Sequence, residues 1–376
     1  MALDLWKMKH PWYESMEENW GKFRLTYQGG RQFIATYLQK FSKRETIEDF
    51  ENRRNISYCP SFAASSINDI KNSIYQRMVE ISRNGGDKTY QTSIKGKEGG
   101  VDLKGASMNN FIGQFLLPEL LIMGRVGCFI DMPPVDGILL ADLMGKKPYL
   151  YLYTAEQIPC WNTTYINGEE ILTCVLVHEV IDVVDEGTNL ITGKKEQARL
   201  MTLQQDGVLV KFYENSINDS TGGTVSILTK EVLLKGHKRI PFVISQITHS
   251  LLKDIADYQI ALLNMESADV AYVLKANFPF YYEFFDPRAQ TAYIPTSPNG
   301  DTTLEGAQVS AETAKQQEIN VGATSGRRIP IGGDAPGFIH PSSEPLKASM
   351  EKQRQMKNDM RQLINLALGT IEPKFA

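Results

Sequence analysis

The sequence is poor in the residues that staple a fold together or anchor it to a membrane. Its 376 residues include four cysteines, Cys59, Cys128, Cys160 and Cys174. No two form a CxxC pair, which argues against a zinc knuckle, and a disulfide framework belongs to shorter, cysteine-dense chains. The five histidines, His10, His178, His237, His249 and His340, include no two at the spacing that puts metal ligands on one helix face. No apolar run reaches the roughly 18 residues of a membrane helix. Residues 1–10 mix charges with apolar side chains and lack a signal-peptide core. Synthesis inside the cell, with no membrane association, is therefore expected. An excess of one charge is missing too. Forty basic and forty-four acidic residues leave −4, so bulk charge cannot scavenge nucleic acid and any DNA contact must use local geometry.

Catalytic motifs are equally scarce. A phosphate-binding GxxxxGK[ST] loop is absent; Gly193-Lys194-Lys195 lacks both the upstream glycine and the hydroxyl. No GxGxxG follows a predicted strand, and HExxH and GxSxG do not occur. His178, inside VLVHEV, reads as a hydrogen-bonded sheet residue, and Asp254, Asp257 and Asp269 read as a solvated or interface face of a helix. No catalytic residue, metal or cofactor is expected, and the weight moves towards a structural or binding role rather than an enzyme.

What is present is patterned apolar sequence, at 42% hydrophobic and 22% charged residues, enough for two or three folding units. Residues 11–82 carry helical spacing, with Trp12, Met16, Trp20 and Phe23 first and Ile67, Ile70, Ile74 and Met78 later. Residues 84–100 are glycine-rich and polar and read as a mobile loop; a further helix over 107–124 should kink or break at Pro118. The middle is β-rich. Strands are predicted in GRVGCFIDMPP, KPYLYLYTAEQIPCW and EEILTCVLVHEVIDVV, with turns at Asn167-Gly168 and Asp206-Gly207, and TVSILTKEVLLKGHKRIPFV closing one mostly antiparallel sheet. Residues 249–274 contain neither glycine nor proline and predict a helix of about 39 Å. The aromatic strand FPFYYEFF follows, then a Gly/Pro/Ser/Thr-rich stretch to 342, then a helix from Pro345 to about Leu368 with Gly369 as its stop. The fold class is α+β.

This order resembles the portal proteins of tailed bacteriophages, the rings at one capsid vertex. The likeness is carried by KHPWYESMEENWGKFRLTYQGG, ENRRNISYCPSFAASSINDI, LLPELLIMGRVGCFIDMPP, KPYLYLYTAEQIPCWN, and KRIPFV running into LLKDIADYQIALLNMESADVAYVL. It covers most of the chain and rests on order and spacing rather than on one sharp motif. The resemblance implies a wing domain over 1–245, a first stem helix over 246–274, a clip over 275–342, a second stem helix over 343–369 and the start of a tunnel loop over 370–376. The family pattern continues into a channel-crossing helix and a crown that nothing in this sequence matches. It implies a homo-oligomeric ring of about twelve copies, double-stranded DNA in the channel, and the major capsid protein, terminase and a head–tail adaptor as partners. It implies a place in the virion, at the capsid vertex, after assembly in the host cytoplasm.

On that reading, Leu252, Ile255, Leu262, Leu263 and Val270 are stem-helix interface candidates. Lys347, Lys352, Arg354, Lys357 and Arg361, with Arg327 and Arg328, are channel or DNA-facing candidates. Phe280, Tyr282 and Phe284 are clip candidates for contact with a neighbouring subunit or an adaptor, by strand exchange or sheet completion. Trp12 and Trp20 are either a capsid-facing stripe or core. The alternatives are an α+β enzyme without a recognisable motif and another head–tail connector component.

Overall fold

A computed structural model describes residues 4–78, 81–132, 147–166, 168–185, 187–217, 224–277, 280–285, 318–321, 324–330, 337–339 and 342–371. The architecture is mixed α+β. Helices α1 (Pro11–Gln28), α2 (Gly30–Tyr37), α3 (Ile47–Ile56), α4 (Phe62–Met78), α5 (Lys88–Ile94), α6 (Met108–Asn110) and α7 (Leu117–Met123) come first. Strands β1 (Arg125–Asp131), β2 (Tyr149–Thr154), β3 (Cys160–Ile166), β4 (Glu169–Val184), β5 (Ile191–Gln204), β6 (Gly207–Ile217), β7 (Thr224–Lys235) and β8 (Phe242–Gln246) follow. The chain then forms α8 (Leu252–Ala276), β9 (Phe280–Phe285), β10 (Glu318–Val321), β11 (Thr324–Pro330), β12 (Gly337–Ile339) and α9 (Glu344–Ile371). It divides into two compact units. One holds residues 1–33, 60–260 and 360–376, and the other holds 34–59 and 261–359.

In the first unit, α1 starts where the His10 imidazole accepts the Trp12 amide at 3.1 Å and Pro11, with no amide to satisfy, takes the first turn. It buries Tyr13, Trp20 and Phe23, and the Trp20 indole donates to the Met123 carbonyl at 3.0 Å. Trp20 is therefore core, while Trp12 is half-buried. The glycine-rich stretch after residue 84 is not wholly loop. Asp87 caps the Tyr90 amide at 2.7 Å and starts α5. Nor does Pro118 break its helix. A π-helical turn over Phe111–Leu116 comes first, and the proline falls in the opening turn of α7, where its missing N–H costs little.

Two sheets are formed by the described residues of this unit. One is a five-stranded antiparallel meander, β3-β4-β5-β6-β7; the other is three-stranded, β2-β1-β8. This departs from the single closed sheet expected from the sequence. Gly236 takes a positive φ of 77° at the end of β7, and residues 242–246 pair with β1 instead, in the register Phe129↔Phe242 to Arg125↔Gln246. Phe129, Tyr153 and Phe242 from the smaller sheet and Val175, Val177, Met201 and Val210 from the larger form one buried cluster. Gly127 packs directly against this cluster. A Cβ there would lie 2.5 Å from the Phe242 ring and 2.6 Å from Ile158 Cδ1.

In the second unit, α3 is capped by Thr46, whose hydroxyl accepts the Asp49 amide at 3.0 Å. Acidic Glu48 and Asp49 sit at its start and Arg53 and Arg54 at its end, as the helix dipole favours. The small sheet of this unit has the order β10-β11-β9-β12, with β9 and β11 parallel. Helix α9 runs to Ile371, through Gly369 rather than stopping there; one glycine costs about 1 kcal/mol in a helix interior, too little to end it alone.

Candidate functional site

Within the second unit, the C-terminal part of α8 and the N-terminal part of α9 are joined by polar contacts that fix their relation. Lys357 Nζ reaches Glu266 Oε1 at 2.7 Å. Asp269 Oδ2 accepts from Ser349 Oγ at 2.9 Å and from Gln353 Nε2 at 2.6 Å. Residue numbers rise on one helix as they fall on the other, so the pair is antiparallel. The ladder lies mostly on the buried side, with Gln353 and Met356 turned inward.

The same chain segment is held from behind by a buried ion pair. The Arg53 guanidinium donates to Glu45 Oε1 at 2.7 Å, Glu45 Oε2 at 2.9 Å, Ser267 Oγ at 2.7 Å and the Gln39 carbonyl at 2.6 Å. The rings of Phe41 and Phe50 lie 4.8 and 5.4 Å from its carbon. Hydrogen bonding from Arg53 holds the Glu45 carboxyl below its ordinary pKa against the opposing effect of burial. This cluster ties the loop and helix of residues 34–59 to α8.

The basic row of α9 divides. Lys357 points inward to Glu266, whereas Lys347, Lys352, Arg354 and Arg361 are exposed. Lys347, Arg354 and Arg361 recur every seven residues and share one stripe; Lys352 lies about 140° around the helix. Lys347 also pairs with Glu344 one turn back, at 3.1 Å.

The apolar candidates on α8 divide as well. Leu252, Ile255, Leu262 and Leu263 are buried inside their own chain, so intrachain packing already occupies them. Val270 is half-buried. Among the described residues of this pair, the large apolar side chains left on the surface are Val273 (38% exposed) and Leu274 (42%) on α8 and Met350 (59%) on α9. With Val270, Leu346 and Tyr58 they surround a cavity of about 370 Å³ whose polar wall is Glu266, Asp269, Gln353 and Lys357. Glu266 Oε2 is buried there without a hydrogen-bond partner among the described residues. Val273, Leu274 and Met350 are not among the interface candidates read from the sequence. Helical periodicity marks apolar positions but does not say which of two faces the chain itself covers.

The aromatic run is placed by its backbone. Phe280, Tyr282 and Phe284 occupy alternate positions along β9; Phe278 lies outside the described residues. Strand β9 is an inner strand. Its one edge pairs with β11, Arg327 opposite Tyr282, and its other with β12, Gly337 opposite Tyr282. Strand exchange at β9 itself is therefore blocked by its own chain, and β10 and β12 are the sheet's edge strands among the described residues. Arg327 and Arg328 are consecutive residues of β11, paired through the backbone with Tyr282 and Glu283 of β9.

Two buried polar groupings in the first unit were not anticipated. Arg125 is buried without a carboxylate partner among the described residues, its carbon 3.5 Å from the Trp161 ring centre and 5.0 Å from that of Trp12; burial lowers its pKa to about 10. Arg199 bridges Glu179 at 3.1 Å and Asp131 at 3.6 Å, and the Tyr153 hydroxyl donates to Glu179. Burial pushes the Tyr153 hydroxyl far up, so it remains a proton holder. Both groupings are braced by aromatic rings, and none of these residues lines the cavity just described or one of about 350 Å³ nearby in sequence to α5. Burial likewise depresses His178, which packs on Trp6 with centroids 4.6 Å apart. Of the helix carboxylates, Asp257 pairs with Lys22 at 2.8 Å and Asp254 is exposed. Among the described residues, no group of His, Cys, Asp and Glu could hold a metal ion, and no helix is long and apolar enough to cross a membrane. Neither the models of known protein families nor the curated proteins compared with this sequence give a match.

Proposed function

We propose that this chain is the subunit of a phage portal, a ring at one capsid vertex that passes DNA during packaging and ejection and docks terminase and then the tail adaptor. The observation that carries the reading is the antiparallel pair α8 and α9 with a small sheet in the chain between them. On this proposal the pair is the stem and the sheet belongs to the clip. Residues 1–245 form the wing, and 370–376 lead into the tunnel loop. A subunit in a closed ring needs one stem face for its own chain and another for its neighbours. The cross-helix ladder from Glu266 and Asp269 accounts for the first face. Val273, Leu274 and Met350, with the unpartnered Glu266 oxygen, form the exposed rim of the same groove, where a neighbouring copy would cover the apolar groups and supply a donor.

The exposed stripe of Lys347, Arg354 and Arg361 suits weak, salt-sensitive contact with DNA phosphate. Strong sites would slow a moving duplex. No covalent step is required of any residue. The test is the mass of the purified assembly with negative-stain images of the same sample. A closed ring of about twelve copies with an axial hole is expected. A chain that stays monomeric at high concentration, in low and in high salt, overturns the proposal and favours an enzyme with a pocket.

A further inference from the structure

The first unit contains a second cavity, of about 350 Å³, between α5, the turns that follow it and the start of β2. That size lies at the lower end of small-molecule sites, about 300–1,000 Å³. Its wall is apolar: Tyr90, Ile94, Val101, Met108, Ile130 and Leu150. Ile130 and Tyr90 are partly exposed, whereas Ile94 and Val101 belong to the buried cluster behind. Two polar groups stand out in this lining. Lys147 is 7% exposed, and among the described residues its ammonium makes one long hydrogen bond, to the Lys97 carbonyl at 3.4 Å. No carboxylate pairs with it among the described residues. Lysine is almost never buried without a partner. Ser93 is also 7% exposed, and its hydroxyl has no hydrogen-bond partner among the described residues. Asp87, the acidic group of the lining, is engaged as the cap of α5, with its Oδ1 on the Tyr90 amide at 2.7 Å.

We propose that this cavity binds a small amphiphile with an apolar chain and a single carboxylate. The chain lies against the Ile94, Val101, Met108 and Leu150 wall. The carboxylate takes the Lys147 ammonium and the Ser93 hydroxyl. One cation and one neutral donor suit a monoanion, whereas a phosphate dianion would leave charge uncompensated. The proposal is independent of the ring reading, because it concerns the interior of one subunit.

Octanoate, 1-octanol and octylammonium are the probes, titrated calorimetrically into the full chain. Octanoate should bind at least tenfold tighter than octanol, and octylammonium should not compete with it. Lys147→Met keeps length and apolarity and should bring octanoate down to the level of octanol. Ser93→Ala removes a hydroxyl that has no partner, so it should fold as well as the native chain, and it should weaken octanoate severalfold without affecting octanol. Equal affinity for octanoate and octanol overturns the proposal, as does no binding of octanoate, or octanoate binding that survives Lys147→Met.

Discussion

Arg53→Met isolates the buried ion pair that holds residues 34–59 against α8. The native guanidinium makes four hydrogen bonds of 2.6–2.9 Å and sits between two phenylalanine rings, with both charged side chains 2% exposed. Methionine fills much of the volume but leaves the Glu45 carboxylate buried, with the Phe41 amide at 3.2 Å as its remaining close donor. Breaking one side of a buried pair costs about 3–5 kcal/mol. With a urea slope of about 1–3 kcal/mol/M, the unfolding midpoint should fall by roughly 2 M. The pH dependence has a definite sign. In the native chain the Glu45 pKa is depressed, chiefly by the Arg53 hydrogen bond. That contribution is present above the unfolded pKa and fades as pH drops through the native one. In the variant the cation is gone and burial raises the carboxyl instead, so protonation relieves it. The penalty should therefore be largest at neutral pH and smaller near about pH 4. Arg53→Met/Glu45→Gln should be less destabilised than Arg53→Met alone. Urea melts followed by circular dichroism measure all three. A penalty under about 1 kcal/mol, the worth of an ordinary exposed pair, would refute the reasoning, as would one independent of pH.

Leu274→Asp should abolish ring formation while leaving the subunit's circular dichroism unchanged, because Leu274 is largely exposed within its own chain; mass photometry reads the result. Replacing Lys347, Arg354 and Arg361 together with Gln should flatten the salt dependence of DNA retention, the log–log slope falling by about 0.9 for each phosphate that is no longer neutralised. Lys352→Gln, off the stripe, should change it less. Gly127→Ala should cost about 1–3 kcal/mol by overpacking, seen as a lower melting temperature, since its Cβ would press on Phe242 and Ile158.

Much of the fold was legible where one local signal dominated. The helical spacing of Trp20 and Phe23, and of Ile67 and Ile70, marks faces that are buried in α1 and α4. The absence of glycine and proline over 249–274 marks α8. Turn chemistry placed the hairpins, though not to the residue. Gln204 pairs with Gly207, so the tight loop is Gln205-Asp206 and Gly207 opens β6, where the Leu234 carbonyl approaches too closely for a Cβ. The partition into sheets was not legible. Residues 242–246 are apolar and β-branched like the strands before them, and nothing local says they pair with β1, more than a hundred residues earlier. Likewise, Asp87 could start a helix inside a glycine-rich stretch because one cap outweighs several permissive neighbours.

The candidate interface shows why function was harder to read than fold. An amphipathic pattern reports that a residue is apolar, and burial reports that something covers it, but neither says whether the cover comes from the same chain. On α8 the strongest apolar signals, Leu252, Leu262 and Leu263, are spent inside the chain, while the weaker pair Val273 and Leu274 remains outside. On α9 the five basic residues look equivalent in sequence, yet Lys357 is committed to Glu266 and Lys352 lies off the stripe that Lys347, Arg354 and Arg361 share. A residue free to meet a neighbour or a phosphate is one the chain has left without an internal task. On the portal proposal, that criterion directs a neighbouring copy to Val273, Leu274 and Met350 and DNA phosphate to Arg354 and Arg361, with Lys347 shared with Glu344.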